Sequence, residues 1–190
     1  IEKLSITDKI IDLKGSDFII ECVKEDADLK CEIFSRLGKI VGEDVIIASN
    51  TSSIMLKGIS KNCANKKRII GFHFSNPVLN TKLIEITKPD FASEETLDKS
   101  LSLAEKIGKW PVVVKDTPGF VINRILFAML NEAANMVYNG TATKEDIDKI
   151  MVTGANHPMG PLRVIDLIGI DVAVAILNNL KNELHNQKYS

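Results

Sequence analysis

Short apolar runs separated by turn signals dominate the first part of the chain and predict buried strands. Along the chain they read DFIIECV, DVIIASNTSS, KRIIGFHF, KLIEITK and WPVVVKD. Short runs of this kind are typical of strands covered on both faces, as in a parallel sheet. The first of them follows a turn at Gly15, and we expect its strand over residues 18–23.

Between these runs, apolar residues recur at helical spacing. The segment DADLKCEIFSRLGKIVG places Leu29, Ile33 and Leu37 on one face of a helix. The segment SEETLDKSLSLAEKIGK begins with Ser93, has an acidic first turn and ends at Gly108, which are standard helix boundary signals. Strands that alternate with helices in this way predict an α/β fold with a parallel sheet.

The pattern changes after Asp116, where no further strand is predicted. The segment TPGFVINRILFAMLNEAANMVYNG predicts one long helix from its Pro-Gly start to Gly140. TKEDIDKIM predicts a second helix capped by Thr143, and the remaining apolar stretch predicts two more that break near Gly169. We therefore expect an α/β domain over residues 1–116 and an all-helical domain over residues 117–190.

Composition narrows the class of protein. The 190 residues are 45% hydrophobic and 26% charged, with a net charge of −1, so nothing favours nucleic acid or an anionic membrane as a partner. No apolar run approaches the roughly 18 residues of a membrane span. The three cysteines, Cys22, Cys31 and Cys63, have no C-x-x-C spacing. They are typical of reduced thiols in a cytoplasmic protein rather than of disulfides or zinc ligands.

Two ionisable residues stand inside apolar strands, where each needs a partner to offset the cost of burial. His73 lies in GFHF, and Glu85 lies in LIEI. A histidine oriented by a carboxylate is the usual arrangement for a general base. A buried ion pair with no reaction attached is the alternative, and these two residues alone leave both interpretations open.

Polar residues at two further places could face a ligand. The run ASNTSS follows a predicted strand, at the sheet edge where α/β proteins bind ligands, although such residues also cap helices. Asn123 shares the apolar face of the long helix with Phe127, Leu130 and Ala134. Its amide either bonds neighbouring backbone or points into a cleft between the domains.

Five motifs together resemble a known family. SNTSS, GFHFSNP, KLIEI, DTPGFVINRI and GANHPMGPL, in this order, are similar to the NAD-dependent L-3-hydroxyacyl-CoA dehydrogenases, above all to the short-chain 3-hydroxybutyryl-CoA enzymes of bacteria. His73 follows Ser52 by 21 residues and precedes Glu85 by 12 and Asn123 by 50, which matches the family pattern. The resemblance covers nearly the whole chain.

The resemblance implies a role for each site residue. His73 would take the proton of the substrate 3-hydroxyl as hydride passes to NAD, and Glu85 would orient and charge-balance the imidazole. Ser52 and Asn123 would bind the reacting oxygen and the substrate. The implied cofactor contacts are Glu25, Lys30, Asn50 and Asn76. The implied substrate is a short-chain 3-hydroxyacyl-CoA, no metal is implied, and the helical domain would cover the acyl-CoA cleft and form a homodimer.

The chain departs from the family pattern in two ways. Ser75 stands where the family usually has a second phenylalanine. No two of the eleven glycines are two residues apart, so the G-x-G-x-x-G turn that cradles a pyrophosphate is absent. We expect the family's first βαβ half and its C-terminal end to lie outside these residues. The 190-residue chain alone should then bind NAD poorly and be inactive, whereas the full-length protein should be the active dehydrogenase.

Three other functions compete with this one. A truncated, non-catalytic paralogue or dimerisation module is disfavoured because an apolar residue in place of Glu85 would often be neutral or stabilising. A hydrolase that uses Ser52 and His73 is disfavoured because no G-x-S-x-G motif is present. A hydroxyacid dehydrogenase that acts without CoA remains open.

Overall fold

The computed structural model describes residues 4–190, which form two compact units that meet in the sequence between Phe120 and Val121. The boundary expected from sequence, near Thr117, lies beside this division. The assignment of the first unit to cofactor and of the second to substrate stays a prediction.

The first unit is α/β, as the sequence predicts. Its strands are β1 (Phe18–Glu21), β2 (Ile46–Ser49), β3 (Ile69–Phe74), β4 (Leu83–Lys88) and β5 (Trp110–Lys115). Its helices are α1 (Ala27–Ile40), α2 (Leu56–Ile59) and α3 (Glu94–Lys106), with short 3-10 helices at Ile10–Gly15 and Lys66–Arg68. The strands form one sheet in the order β1-β2-β3-β4-β5.

The direction of β4 corrects the expectation of a parallel sheet. Three of the four strand pairs are parallel, but β4 runs antiparallel to β3. A parallel crossover needs about a dozen residues or more, usually including a helix. The connection from Ser75 to Lys82 is shorter and has no helix, so β4 can only turn back alongside β3.

Helices cover both faces of β1 to β4, which explains why these strands are mostly apolar, whereas most of β5 is exposed. On one face Phe34 of α1 and Leu56 of α2 pack with Ile47. On the other face Ala48 and Phe72 pack with residues of α3. Because side chains alternate along a strand, the odd-numbered residues of β1 to β4 share the face covered by α1 and α2.

The start of α2 is capped by Asp116, the residue that follows β5, rather than by the ASNTSS run. The amides of Leu56 and Lys57 each donate to a carboxylate oxygen of Asp116 at 3.0 Å. Burial raises the pKa of Asp116 above its ordinary value, and the two amide donors oppose this effect. The helix-capping interpretation of ASNTSS is therefore wrong for α2, although Thr51 Oγ1 accepts from the Ile54 amide at 3.0 Å.

The second unit is helical. It consists of α4 (Ile122–Tyr138), α5 (Lys144–Gly154), α6 (Pro161–Ile168), α7 (Ile170–Leu184) and a short 3-10 helix at Gln187–Tyr189. Its core includes Phe127, Leu130 and Leu180. Thr143 caps α5, and Gly169, with φ 99°, separates α6 from α7, both as predicted.

The long helix starts later than its Pro-Gly signal indicates. It begins at Ile122, because Gly119 and Phe120 adopt left-handed backbone conformations with φ 71° and 49°. Within residues 4–190, no helix is long and apolar enough to cross a membrane. All three cysteines are free thiols.

Candidate active site

His73 and Glu85 are direct partners across the antiparallel β3–β4 pair. They occupy one register position of the ladder, and Nδ1 of His73 lies 2.9 Å from Oε2 of Glu85. Both residues are buried, with exposed fractions of 7% and 2%. An ionised carboxylate can only accept, so Nδ1 carries a proton, and in the neutral imidazole the lone pair is then on Nε2. This arrangement leaves Nε2 free to take a proton from another molecule.

Phe120 fixes the imidazole from a second direction. Its ring centroid lies 5.6 Å from that of His73, and the two ring planes are inclined by 58°. Phe120 is 2% exposed and has φ 49°, a left-handed conformation that is rare for a bulky residue. Strained residues of this kind are found where the surrounding structure holds them at a functional site.

Asn50 and Asn76 lie beyond the carboxyl ends of β2 and β3, as expected. The side-chain oxygen of Asn50 accepts from the Phe74 amide at 2.9 Å, which ties the end of β2 to the residue after His73. Asn76 is exposed and precedes a cis peptide bond to Pro77. Ser75, the residue before Asn76, is 8% exposed, and its hydroxyl has no hydrogen-bond partner within the described residues.

Glu25 organises the loop that carries Ser52. Its Oε1 accepts hydrogen bonds from the Thr51 hydroxyl at 2.7 Å and from the amides of Ser52 and Ser53 at 3.0 and 2.9 Å. Lys30 completes the group, since its Nζ lies 3.3 Å from Oε2 of Glu25. The structure therefore brings three of the predicted site residues, Glu25, Lys30 and Ser52, into one polar cluster.

Glu21 also belongs to this cluster and was missed in the sequence. Its Oε1 lies 2.7 Å from Nζ of Lys30, and its Oε2 accepts from the Ser49 hydroxyl at 2.6 Å. The signal was present, because FIIE places a lone carboxylate in an apolar strand just as LIEI does at Glu85. Applied evenly, the argument from the cost of burial finds both residues.

The last predicted residue, Asn123, lies in the first turn of α4 in the second unit and is half-buried. Its approach to His73 stays a prediction. Two of its expected apolar neighbours on the helix, Phe127 and Leu130, are buried. The third, Ala134, is exposed, and Ala133 is buried in its place because the buried stripe of α4 follows a spacing of three residues at this point.

Glu25 should stabilise the fold at neutral pH and lose this effect in acid. Burial alone would raise the pKa of Glu25, but the Thr51 hydroxyl, Lys30 and two backbone amides outweigh burial and lower it below 4.5. Because the pKa is lower in the folded than in the unfolded state, the stabilisation is present above the unfolded value and disappears as the pH falls through the folded one.

We therefore expect Glu25→Gln to lower the Tm at neutral pH and to lower it progressively less as the pH falls below 4.5. Thermal unfolding followed by circular dichroism at neutral pH and at an acidic pH measures this difference. Glu105→Gln, a change at an exposed residue of α3, is the matched control and should leave Tm unaltered at either pH. An equal loss of Tm in the two variants would contradict the assignment.

Fold and site together define a class of protein. The chain has a mostly parallel sheet with helices on both faces, and its buried imidazole–carboxylate pair sits where β3 meets β4. Within residues 4–190 no three His, Cys, Asp or Glu side chains are grouped closely enough to hold a metal ion. Such a sheet is typical of α/β proteins that bind a cofactor beyond the carboxyl ends of their strands.

The chain belongs to the 3-hydroxyacyl-CoA dehydrogenase family. The family's NAD binding domain matches residues 1–117, and its C-terminal domain matches residues 119–190. A 3-hydroxybutyryl-CoA dehydrogenase of Clostridioides difficile is 44% identical over 98% of the chain. A probable 3-hydroxybutyryl-CoA dehydrogenase of Bacillus subtilis is 42% identical over the whole chain. The chain spans 66% of the length of each of these two relatives.

Solved structures agree with this membership. The (S)-3-hydroxybutyryl-CoA dehydrogenase PaaH1 of Ralstonia eutropha matches 96% of the chain with a TM-score of 0.93 and 42% identity. FadB2 of M. tuberculosis matches 97% of the chain with a TM-score of 0.94 and 37% identity. In both comparisons the match covers 65% of the solved chain.

Proposed function

We propose that the protein is an NAD-dependent dehydrogenase that interconverts a short-chain 3-hydroxyacyl-CoA and the corresponding 3-ketoacyl-CoA. The observation that carries the proposal is the buried hydrogen bond between His73 and Glu85. The names of the relatives support the substrate, since both curated bacterial proteins are 3-hydroxybutyryl-CoA dehydrogenases or probable ones. Oxidation then removes a hydride from C3 and a proton from the 3-hydroxyl.

His73 performs the proton transfer in this proposal. Nε2 accepts the proton of the 3-hydroxyl during oxidation and returns it to the ketone oxygen during reduction. Glu85, bonded to Nδ1, holds the ring in the required tautomer and stabilises the imidazolium that forms. The Phe120 ring restricts the imidazole further and keeps water from that side of it.

Ser52 and Asn123 orient the substrate. A hydroxyl and an amide are suited to binding the reacting oxygen, where they stabilise the charge that develops in the transition state. The Ser52 amide is held by Glu25, so the position of this loop is set before substrate arrives. Such preorganisation reduces the entropy lost on the way to the transition state.

The polar cluster around Glu25 fits the nicotinamide and ribose part of NAD. A ribose needs hydrogen-bond acceptors for its hydroxyls, and a carboxamide needs both donors and acceptors. Glu25, Asn50 and Asn76 offer these groups, whereas Lys30, whose side chain is 1% exposed, acts by holding Glu25. Bound NAD supplies the hydride acceptor. The glycine-rich turn for its pyrophosphate is not among these 190 residues, so we assign no phosphate contacts to them.

The substrate assignment is tested by comparing two ketones in the full-length protein with NADH. If the CoA portion supplies binding energy that is used at the reacting carbon, kcat/KM for acetoacetyl-CoA should exceed that for free acetoacetate by at least about a hundredfold. Absorbance of NADH measures both rates. Comparable values for the two ketones would instead favour a hydroxyacid dehydrogenase without CoA specificity. A lack of activity on either would favour the non-catalytic module.

We also propose that the second unit forms a homodimer contact. Several large apolar side chains of α6 and α7 are exposed, among them Leu167, Ile170 and Val174, with exposed fractions of 75%, 65% and 49%. Exposed apolar groups of this size on neighbouring helices are typical of protein–protein contacts. Most soluble oligomers are symmetric assemblies of one chain, so a second copy is the partner we favour.

A further inference from the structure

Glu21 is a buried carboxylate that has no role in the proposed reaction. It is the last residue of β1, and its side chain is 1% exposed. It therefore cannot touch substrate or cofactor. A carboxylate at such a position is destabilising unless charges and hydrogen bonds compensate it. Replacement of a buried ion pair by apolar residues is often neutral or stabilising, so the presence of this pair calls for a reason other than stability.

Three donors from different segments converge on Glu21. Oε1 accepts from Nζ of Lys30 at 2.7 Å and from the amide of Val23 at 2.7 Å. Oε2 accepts from the hydroxyl of Ser49 at 2.6 Å. The carboxylate thus joins the end of β1, the first turns of α1 and the end of β2.

Two partners of Glu21, Ser49 and Lys30, connect it to the loop that carries Ser52. Ser49 Oγ accepts the amide of Thr51 at 3.1 Å, which fixes the start of the loop of residues 50–53. Lys30 Nζ reaches Oε2 of Glu25 at 3.3 Å, and Oε1 of Glu25 holds the amides of Ser52 and Ser53 in the same loop. The two paths from Glu21 meet in this loop and form a closed set of contacts.

Charge gives Glu21 a second effect on the cluster. Lys30 is 1% exposed and lies between two carboxylates, Glu21 at 2.7 Å and Glu25 at 3.3 Å. Without the negative charge of Glu21, Lys30 would be drawn fully to Glu25 and would compete with the loop amides for that carboxylate. Glu21 thereby leaves Glu25 oxygens available to the loop and to a ligand.

We propose that Glu21 is a positioning residue that holds Lys30 and the loop of residues 50–53 in the arrangement through which Glu25 and Ser52 meet the nicotinamide half of NAD. The effect on NAD rests on the proposed function, whereas the effect on the loop does not. The two effects can therefore be measured separately.

The test compares Glu21→Gln with Glu32→Gln in the full-length protein. Both changes remove one glutamate charge, and Glu32 is 64% exposed on α1 in a surface pair with Arg36. Hydrogen exchange followed by mass spectrometry reports on the amides of residues 51–53. We expect exchange there to become about tenfold faster in Glu21→Gln and to stay unchanged in Glu32→Gln. Unchanged exchange in Glu21→Gln would overturn the proposal.

Steady-state kinetics with acetoacetyl-CoA tests the link to the cofactor. Glu21→Gln should raise KM for NADH by about tenfold or more and lower kcat much less, because the variant misplaces cofactor contacts and leaves His73 intact. Faster exchange with an unaltered KM for NADH would overturn the link. Wild-type protein without dehydrogenase activity would overturn the proposed function, and the exchange result would still decide the role of Glu21 in the loop.

Ser49→Ala provides a second variant if Glu21→Gln does not fold. It removes the hydroxyl that joins Oε2 of Glu21 to the Thr51 amide and changes no charge. We expect faster exchange at Thr51 and a rise in KM for NADH smaller than that of Glu21→Gln, since Lys30 keeps both carboxylates. Exchange at Thr51 equal to that of the wild type would overturn the proposal on its own.

Discussion

His73→Gln should lower kcat for reduction of acetoacetyl-CoA by about 10³-fold, within the range that general acid–base catalysis contributes. Glutamine can hydrogen-bond a ligand as imidazole does, but it cannot deliver a proton to the ketone oxygen. KM for both substrates should change little, because the loss falls on the transition state rather than on ground-state binding. Steady-state kinetics with NADH on full-length protein measures both parameters.

The matched control for this variant is His157→Gln. His157 lies between α5 and α6, and its backbone amide, which the substitution preserves, donates to the Met151 carbonyl at 3.1 Å. We expect wild-type kinetics from this variant. A loss of less than about tenfold in kcat for His73→Gln, against the range usual for a general acid–base residue, would show that another group transfers the proton.

Glu85→Gln should lower kcat by about 10² to 10³-fold through its effect on His73. The substitution removes the negative charge that stabilises the imidazolium, which is the proton donor in reduction. The amide can also donate to Nδ1, which places the proton of the neutral imidazole on Nε2, where the base needs a lone pair in oxidation. Full-length protein assayed with acetoacetyl-CoA and NADH shows the loss, and Glu105→Gln on α3 should show none.

The double variant His73→Gln/Glu85→Gln separates a shared role from two independent ones. If Glu85 acts through His73, the double variant should be no slower than His73→Gln alone, since the losses of residues that act as a unit do not add. Multiplication of the two losses would instead assign Glu85 an independent contact with substrate. Tm values of all three variants near that of the wild type would exclude unfolding as the cause.

The apolar runs predict most of the fold of the first unit. Every predicted strand is present, because short runs of branched and aromatic residues favour a sheet, and helices cover both faces of β1 to β4. The directions of the strands are not encoded in such runs. LIEIT reads the same whether β4 is parallel or antiparallel, and only the length of the connection before it decided the matter.

The site was predictable where the cost of burying a charge is local to one strand. Glu85 and His73 each need a partner because they lie in apolar strands, and their positions on two strands allow the contact that the structure contains. Contacts made across long separations could not be found in this way. Asp116 caps α2 from a position 60 residues further along the chain than Leu56, and no local pattern links the two.

The left-handed conformation of Phe120 is a further example of what the sequence conceals. The Pro-Gly pair before it suggested the first turn of a helix, since proline is favoured there. In the structure Gly119 and Phe120 form a turn instead, and the aromatic ring packs beside His73. The turn delays the start of α4 to Ile122 and at the same time places the Phe120 ring against the imidazole.

The reversal of β4 has a consequence for how this protein can vary. The ladder of main-chain hydrogen bonds sets the distance between His73 and Glu85, so the segment that joins their strands is not needed to align them. That segment contains the exposed Asn76 and the almost fully exposed Leu79, at 96%. Residues inserted, deleted or exchanged around Leu79 should therefore leave the imidazole and the carboxylate in register. The length and sequence of this segment are free to vary while the pair stays intact.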